Sequence, residues 1–383
     1  MNAPLVTWPL EDIFRVPATF PAPGFAGEGV QALFFESVPY HGRPTRVFAW
    51  LGLPAQTGGV SCPGIVLLHG GGGTAFDEWV RLWNARGYAA IAMDLCGCIP
   101  EHPQALDGGP HARHRDGGPP GWGGFDQTDA PLEDQWTYHA VAAALAGHSV
   151  LAAQPCVDAE RIAITGISWG GYVTCIVAGI DPRLRAAAPV YGCGFLGEDS
   201  CWKDLDFPNR PTDEVQRWLD LWDPSRFLSQ AGMPMCWLSG TNDFAYPLSS
   251  LKKSYLLPTG PRTLCIRVDM PHSHQHGWAP AETGLFMDSV LSAGVPLPRL
   301  REYGRDRDRV WAVFDAARPI VKAELCTTRA LGHWTDRRWT ATPAGFEAAD
   351  GAVEARLPPH TTAWFLNVFD DRGCVASTPH EDA

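Results

Sequence analysis

The chain has 383 residues, of which 45% are hydrophobic and 19% are charged, and its formal net charge is −12 at pH 7. An apolar fraction of this size supports a packed core in one large domain accompanied by a smaller one. The acidic balance argues against nucleic acid and anionic membrane as partners, because both repel a negative surface. The sequence also contains no apolar run long enough to span a bilayer, so we predict no membrane segment.

The eleven cysteines are scattered without the paired spacing of a zinc site, since the close pair Cys96 and Cys98 has no second pair to complete it. We interpret them as reduced thiols. The N-terminus shows no basic segment followed by an apolar one, so no signal peptide is expected. These observations predict a cytoplasmic protein without metal or cofactor, and they leave self-association into a homo-oligomer open.

The first part of the chain alternates strands and helices at a spacing typical of right-handed crossovers in a parallel sheet. One apolar strand runs directly into four glycines, Gly70 to Gly73. In order, the predicted elements are irregular structure over 1–29, an edge hairpin over 31–54, a strand over 63–69, a helix over 75–86 and a strand over 88–94.

Two long segments interrupt this alternation. Residues 97–130 are rich in Gly, Pro, His and Asp, which is typical of an insertion over a functional edge or of a lid. Residues 193–231 are Trp-rich and are predicted to be irregular, and their Trp202, Trp218 and Trp222 either cap a cleft or pack a helical excursion. The other predicted elements are a helix over 131–153 with Asp129 as N-cap, strands over 162–164, 186–190, 235–239 and 264–270, and a helix over 282–293.

The pattern changes beyond Pro296, and from about Arg309 short alternating segments are separated by turn residues. This pattern predicts a small antiparallel β domain. We therefore divide the chain into an α/β domain over 1–303 and a small β-sandwich-like domain over 304–383. The second domain either binds carbohydrate through one of three tryptophans or serves packing or dimerisation, and packing is favoured because isolated tryptophans in β domains mostly lie in the core. The tryptophans concerned are Trp334, Trp339 and Trp364.

The strongest chemical motif lies at residues 162–172, which read Ile-Ala-Ile-Thr-Gly-Ile-Ser-Trp-Gly-Gly-Tyr. Ser168 stands at the centre of a Gly-x-Ser-x-Gly pentapeptide that follows an apolar run and opens a helix, which is the sequence form of a nucleophile elbow. Such a sharp turn needs small neighbours, and Gly166 and Gly170 supply them. Ser168 is therefore the candidate nucleophile.

A serine nucleophile needs a base, and the base needs an acid that holds it in the right tautomer. Asp243 follows an apolar strand and a glycine turn, in the position expected of the acid. The final strand is followed by His272, His274 and His276. We rank His272 and His274 level as the base and place His276 behind them. A metal site is the alternative explanation of such a His-x-His-x-His tract, but no Asp or Cys stands beside it at ligand spacing.

A tetrahedral intermediate also needs donors for its oxyanion. The N–H of Trp169, directly after the nucleophile, is one candidate, and the glycine run supplies the other at Gly71 or Gly72. A phosphate cradle does not fit this run, because no Gly-Lys-Ser or Gly-Lys-Thr follows it. We expect His69 to orient the loop.

In combination, these residues resemble the α/β-hydrolase superfamily, and within it the acetylxylan esterase and dienelactone hydrolase-like branch. The nucleophile signature lies over residues 157–171, the oxyanion loop over 67–73 and the following strand over 86–94. The resemblance covers about residues 45–295. It implies an α/β-hydrolase fold and cleavage of esters through an acyl-enzyme. The Ser-Trp-Gly-Gly-Tyr stretch is equally similar to prolyl oligopeptidase-type serine peptidases.

The first hypothesis is therefore a serine hydrolase that cleaves small-molecule carboxylic esters, with acetyl or other small acyl groups on carbohydrate or aryl alcohols. The alternative is a prolyl oligopeptidase-like peptidase, although the roughly 60 residues before the oxyanion loop are too few for the usual gating propeller. A third hypothesis, a binding scaffold without activity, is disfavoured because nucleophile, acid, base candidates and glycine loop all occur in the right order.

Overall fold

A computed structural model describes residues 6–55, 61–100, 111–347 and 350–382. Eleven strands precede the C-terminal region of the described chain: β1 (Thr19–Pro21), β2 (Val30–Tyr40), β3 (Arg43–Gly52), β4 (Cys62–Leu68), β5 (Ala89–Met93), β6 (Cys98–Ile99), β7 (Ala112–Arg113), β8 (Val157–Ile167), β9 (Ala186–Val190), β10 (Met235–Gly240) and β11 (Arg262–Arg267). Nine of them form one sheet in the order β1-β2-β3-β5-β4-β8-β9-β10-β11, and β6 pairs with β7.

All neighbouring strands from β5 to β11 run parallel, whereas β1, β2 and β3 add an antiparallel edge. The parallel strands are short apolar runs, and all five residues of β5 and of β9 are buried. Strands buried on both faces need helices on both faces of the sheet. The predicted mostly parallel sheet flanked by helices is confirmed.

The helices of the described chain are α1 (Leu10–Ile13), α2 (Asp77–Ala85), α3 (Trp136–Ala152), α4 (Trp169–Ala178), α5 (Cys201–Leu205), α6 (Thr212–Trp222), α7 (Leu248–Tyr255), α8 (His274–Trp278) and α9 (Ala281–Leu291). Helix α3 is buried almost all round, as expected of a helix packed between the sheet and the N-terminal segment. None of the helices described has the length and composition needed to cross a membrane.

The predicted start of α3 is wrong. Residues Leu132–Asp134 form a short 3₁₀ turn, and Gln135 is extended, so it is Gln135 that caps α3, in place of Asp129. The side chain of Gln127 explains the late start, because its amide oxygen accepts the N–H of Trp136 at 2.6 Å. A cap supplied from a distant turn leaves no local sequence signal.

The two interrupting segments differ in character. Of 97–130, residues 101–110 lie outside the described residues, and the remainder is largely irregular apart from the β6 and β7 pair. The irregular structure predicted for 193–231 is wrong, since α5, α6 and three 3₁₀ turns occupy much of it. Trp218 and Trp222 are fully buried there and donate to Gly123 O and Gln135 Oε1, both at 2.7 Å. These two tryptophans pack a helical excursion.

The described C-terminal strands are β12 (Arg299–Asp306), β13 (Arg309–Asp315), β14 (Ile320–Thr328), β15 (Trp339–Pro343), β16 (Gly345–Glu347), β17 (Ala352–Arg356), β18 (Ala363–Asp370), β19 (Val375–Ser377) and β20 (Glu381–Asp382). They form two antiparallel sheets, β12-β13-β17-β16 and β15-β14-β18-β19, with β20 pairing with β18. Residues such as Val310, Leu325 and Leu366 fill a separate core. The predicted antiparallel β region is confirmed, and its first strand begins at Arg299, ahead of the expected boundary at 303.

This β region packs against the nine-stranded sheet along strand β11. Ser377 Oγ accepts the N–H of Ile266 at 2.8 Å, and Asn367 Nδ2 donates to the Ile266 carbonyl at 3.0 Å. Phe365 and Val375 join the hydrophobic core of the α/β part. Side chains thus satisfy an edge strand that would otherwise present unpaired backbone groups.

Close packing at the turn after β8 yields a stability prediction. A Cβ at Gly170 would overlap the carbonyl oxygen of Leu68, which is backbone and cannot move aside. We expect Gly170→Ala to lower the free energy of unfolding by more than about 3 kcal/mol in urea titrations. Gly232→Ala is the matched control, since its nearest neighbour, Thr259 Oγ1, lies 3.9 Å from the added carbon. Equal stability of the two variants would contradict the packing argument.

Candidate active site

Ser168 lies in the turn between β8 and α4, with φ 57° and ψ −117°. This conformation is costly for a residue with a side chain and persists only where the surroundings enforce it. Here the Ser168 N–H donates to Val190 O at 2.9 Å, and the Ser168 carbonyl accepts the N–H of Tyr172 at 2.8 Å. The half-buried serine therefore stands at the carboxyl edge of the sheet, beside the N-terminus of α4.

Asp243 follows β10 and is buried. Its Oδ1 accepts two backbone N–H groups, those of Ala245 at 2.9 Å and Tyr246 at 2.8 Å. Its Oδ2 lies 2.6 Å from Nδ1 of His272. The two backbone donors fix the plane of the carboxylate, so Oδ2 is directed at the imidazole.

His272 follows β11 and is held between two aromatic rings. It stacks on Tyr191 at a centroid distance of 4.5 Å and contacts Phe244 at 4.6 Å. Tyr191 comes directly after Val190, the residue that accepts the Ser168 N–H, so one short segment supports both nucleophile and imidazole. Ser168 Oγ and His272 share no hydrogen bond in this structure, and such catalytic contacts often tighten only around a substrate.

His274 has a different partner. It is buried, and its Nε2 accepts the N–H of Gly70 at 2.9 Å. Because that bond uses the lone pair of Nε2, the proton of the neutral ring resides on Nδ1. His276 is exposed and pairs with Ser273 Oγ at 2.8 Å. The three imidazoles of the tract therefore contact three different groups, and Asp243 contacts His272.

His69 connects the glycine loop to the chain that follows β5. Its Nε2 accepts the N–H of Leu95 at 2.9 Å, which leaves Nδ1 to donate to the Gly70 carbonyl at 2.9 Å. Burial lowers the pKa of His69 to about 3, so the ring is neutral at pH 7. Asp94, whose Oδ2 lies 3.8 Å from Nε2, therefore forms no ion pair with it.

The glycine loop is a tight turn, closed by the Gly73 N–H donating to the Gly70 carbonyl at 3.1 Å. Gly72 takes φ +69° there, a region that favours glycine. At the exposed tip, a Cβ on Gly71 would lie 3.0 Å from Cδ1 of Trp169. Trp169 opens α4, so its N–H has no acceptor within the helix. Among the described residues, neither the Gly71 nor the Trp169 N–H donates a hydrogen bond.

Aromatic residues surround these groups. The Trp169 ring contacts Trp202 at 4.5 Å, Trp136 at 5.6 Å and Phe125 at 5.9 Å, and Trp122 lies 5.5 Å from His69. Of these neighbours, sequence reasoning named only Trp202. The others come from α3 and from the segment before it, and only the fold brings them to the nucleophile.

Phe244 was also missed. Its side chain is 57% exposed although it packs on the ring of His272. Its position beside the His272 ring places an accessible aromatic face at the site. The available sequence signal was its position directly after the candidate acid.

Comparison with known proteins identifies the family and the fold of the chain. The acetyl xylan esterase (AXE1) family matches residues 29–235, more than half of the chain. A Salmonella typhi protein named as a candidate carboxymethylenebutenolidase is 41% identical over 56 residues, which are 15% of this chain and 19% of that protein. The chain thus aligns with about a fifth of that relative's length.

Two solved structures extend the likeness to most of the fold. An acetyl xylan esterase from Paenibacillus sp. R4 has a TM-score of 0.57 and 19% identity, covering 74% of this chain and 92% of its own. Acetyl xylan esterase 1 from Thermoanaerobacterium sp. JW/SL YS485 has a TM-score of 0.54 and 17% identity, covering 76% and 95%. Peptidases share the fold as well. The predicted resemblance and the α/β-hydrolase fold are confirmed: the chain belongs to the acetyl xylan esterase family.

Proposed function

We propose that the protein is a carboxylic-ester hydrolase in which Ser168 is the nucleophile, His272 is the general base and Asp243 orients the base. The observation that carries this proposal is the 2.6 Å contact between His272 Nδ1 and Asp243 Oδ2, on the edge of the sheet where the Ser168 turn lies. A proton on Nδ1, held by the carboxylate, leaves Nε2 free to take the serine proton. His274 lacks this freedom, because its Nε2 binds Gly70.

In the first half-reaction, Ser168 Oγ attacks the acyl carbon of the ester while His272 Nε2 removes the hydroxyl proton. The carbonyl π electrons move to oxygen, and the N–H groups of Gly71 and Trp169 stabilise the resulting charge. In this assignment Gly72 provides the turn conformation, and the donor is Gly71. When the tetrahedral intermediate collapses, the alcohol departs with the proton that His272 returns to it. An acyl-serine remains.

Water completes the cycle. His272 removes a proton from a water molecule that attacks the acyl carbon, and the same two N–H groups stabilise the second oxyanion. Collapse breaks the bond to Ser168 Oγ, which regains its proton from His272. The net reaction converts an ester and water into a carboxylic acid and an alcohol, and no cofactor enters the balance.

The substrates proposed are small-molecule esters that carry an acetyl or other small acyl group on a carbohydrate or aryl alcohol. Family membership supports the acetyl group. The partly buried Trp122 beside His69 and the exposed Phe244 beside His272 support a ring-bearing alcohol, because aromatic faces that remain accessible can stack on a ring.

Replacing the nucleophile provides the first test. Ser168→Ala is expected to lower the turnover of p-nitrophenyl acetate by about 10⁴-fold or more, because no other group can form the acyl-enzyme. Labelling by a fluorophosphonate is expected to disappear as well, while circular dichroism stays unchanged. Full turnover by a folded Ser168→Ala protein would contradict the assignment.

The preference for esters over amides is tested on the unmodified enzyme. Acetylated sugars and aryl acetates are expected to be cleaved with higher kcat/KM than aminoacyl-anilides. The reverse order would favour the prolyl oligopeptidase-like alternative.

Mutation of His272 and of His274 tests which of the two is the base. His272→Ala is expected to lower kcat about 10⁴-fold, since it removes the base. His274→Ala is expected to lower kcat roughly ten- to a hundred-fold, because it releases Gly70 and loosens the loop without removing the base. Steady-state kinetics of both variants with p-nitrophenyl acetate test this order. A larger loss of kcat in His274→Ala than in His272→Ala would indicate that His274 is the base.

Phe244 provides a third prediction, about the alcohol side. Phe244→Ala is expected to raise KM about three- to ten-fold for acetylated sugars or aryl acetates and to change it less for ethyl acetate, because a ring-stacking surface is lost. Leu256→Ala is the control, since Leu256 is 51% exposed but lies at the C-terminal end of α7, at the opposite edge of the sheet. An equal rise in KM for all three ester classes would contradict the stacking role.

A further inference from the structure

The C-terminal β region reaches the candidate acid directly. The segment between β14 and β15 contains a 3₁₀ turn, Trp334–Asp336. Trp334 is 8% exposed, and its indole N–H donates to the main-chain carbonyl of Asp243 at 2.7 Å. This carbonyl lies beyond the end of β10 at Gly240, where strand pairing no longer holds the chain.

The preceding residue is bound by the same segment. Asn242 Nδ2 lies 2.7 Å from the carbonyl of Arg337, 3.1 Å from that of Thr335 and 3.2 Å from that of Trp334. The side-chain amide of Asn242 thus lies within hydrogen-bond distance of three carbonyl oxygens, two in the 3₁₀ turn and one directly after it. Asn242 and Asp243 are therefore both tied to the C-terminal β region, one through its side chain and the other through its backbone.

The 3₁₀ turn is itself anchored on the hydrolase side of the interface. His333 Nε2 lies 3.0 Å from Asp204 Oδ2, just beyond the middle of α5, and its ring packs on Trp334 at 3.7 Å. His333 Nδ1 also pairs with Thr335 Oγ1 at 2.7 Å. The Trp334 indole is thus fixed by the ring of His333 that packs on it and by its hydrogen bond to Asp243. A rigid support for the Asp243 loop requires an indole held in this way.

We propose that the C-terminal β region is part of the catalytic apparatus, with Trp334 and Asn242 as positioning residues for Asp243. This inference rests on the proposed roles of Ser168, His272 and Asp243. The carboxylate plane is set by Ala245 and Tyr246, but its distance from His272 depends on where the main chain of Asp243 lies. Trp334 and Asn242 fix that position, and so they hold the imidazole in register with Ser168.

The test compares two tryptophans of the same domain with the same 8% exposure. Trp334→Phe deletes the donor to Asp243, whereas Trp339→Phe deletes an indole N–H that has no hydrogen-bond partner among the described residues. We expect Trp334→Phe to lower kcat for p-nitrophenyl acetate about five-fold per fluorophosphonate-titrated site, with KM unchanged. Trp339→Phe is expected to stay within about two-fold of the parent enzyme.

Titration of active sites separates positioning from folding. If Trp334 only stabilised the fold, its loss would reduce the number of titratable sites and the Tm, while kcat per site would stay constant, and that result would overturn the proposal. Asn242→Ala is the second variant, with the same expected fall in kcat per site. It decides the question if Trp334→Phe does not fold.

A double-mutant cycle shows whether the effect passes through the acid. The rate at which a fluorophosphonate phosphonylates Ser168, with loss of fluoride, is expected to fall about five-fold when Trp334→Phe is added to the parent enzyme, and less than two-fold when it is added to Asp243→Asn. Equal falls in both backgrounds would overturn the proposal and leave the proposed function intact. If Asp243→Asn is phosphonylated as fast as the parent, or Ser168→Ala remains active, the proposed function itself fails.

Discussion

The structure depends on the backbone of Ser168 being forced into a left-handed conformation at the tip of β8. The strained backbone persists because close packing between β8 and α4 enforces it. A Cβ at Gly166 would strike the carbonyl of Gly170, and one at Gly170 would strike that of Leu68. The two glycines let helix α4 start directly at the sheet, so its first N–H groups face the place where an oxyanion would form. The parallel sheet is the frame that makes such an approach possible.

Around this turn, four hydrogen bonds between side chains and the backbone orient His69, His274 and Asp243. His69 and His274 both bind Gly70, one at its carbonyl and one at its N–H, and both rings act there as neutral hydrogen-bonding groups. Asp243 is held in the same manner by main-chain donors. Fixed dipoles of this kind need no reorganisation when charge develops, which is the usual source of large rate effects in hydrolases. The aromatic residues nearby exclude water and strengthen those dipoles.

Much of this architecture could be predicted from the sequence because it is local. Apolar runs, the glycine turn and the elbow motif identify the parallel strands and Ser168 without reference to distant residues. The choice between His272 and His274 could not be made, because it depends on β11 ending at Arg267 and on a turn with Asp269 at φ 52°. The prediction of the start of α3 failed for a similar reason, since the N–H of Trp136 there donates to the side chain of Gln127, which lies in an earlier turn. Contacts between residues that are far apart in the chain leave no periodic pattern in the sequence.

The bond between Trp334 and Asp243 joins residues 91 positions apart in the chain. During synthesis the ribosome releases every strand of the α/β sheet, and all the residues that surround Ser168, before it releases the indole that holds the acid's carbonyl. A nascent chain can therefore assemble the sheet and its elbow early. The loop of Asp243, in contrast, gains this support only after residue 334 has been synthesised.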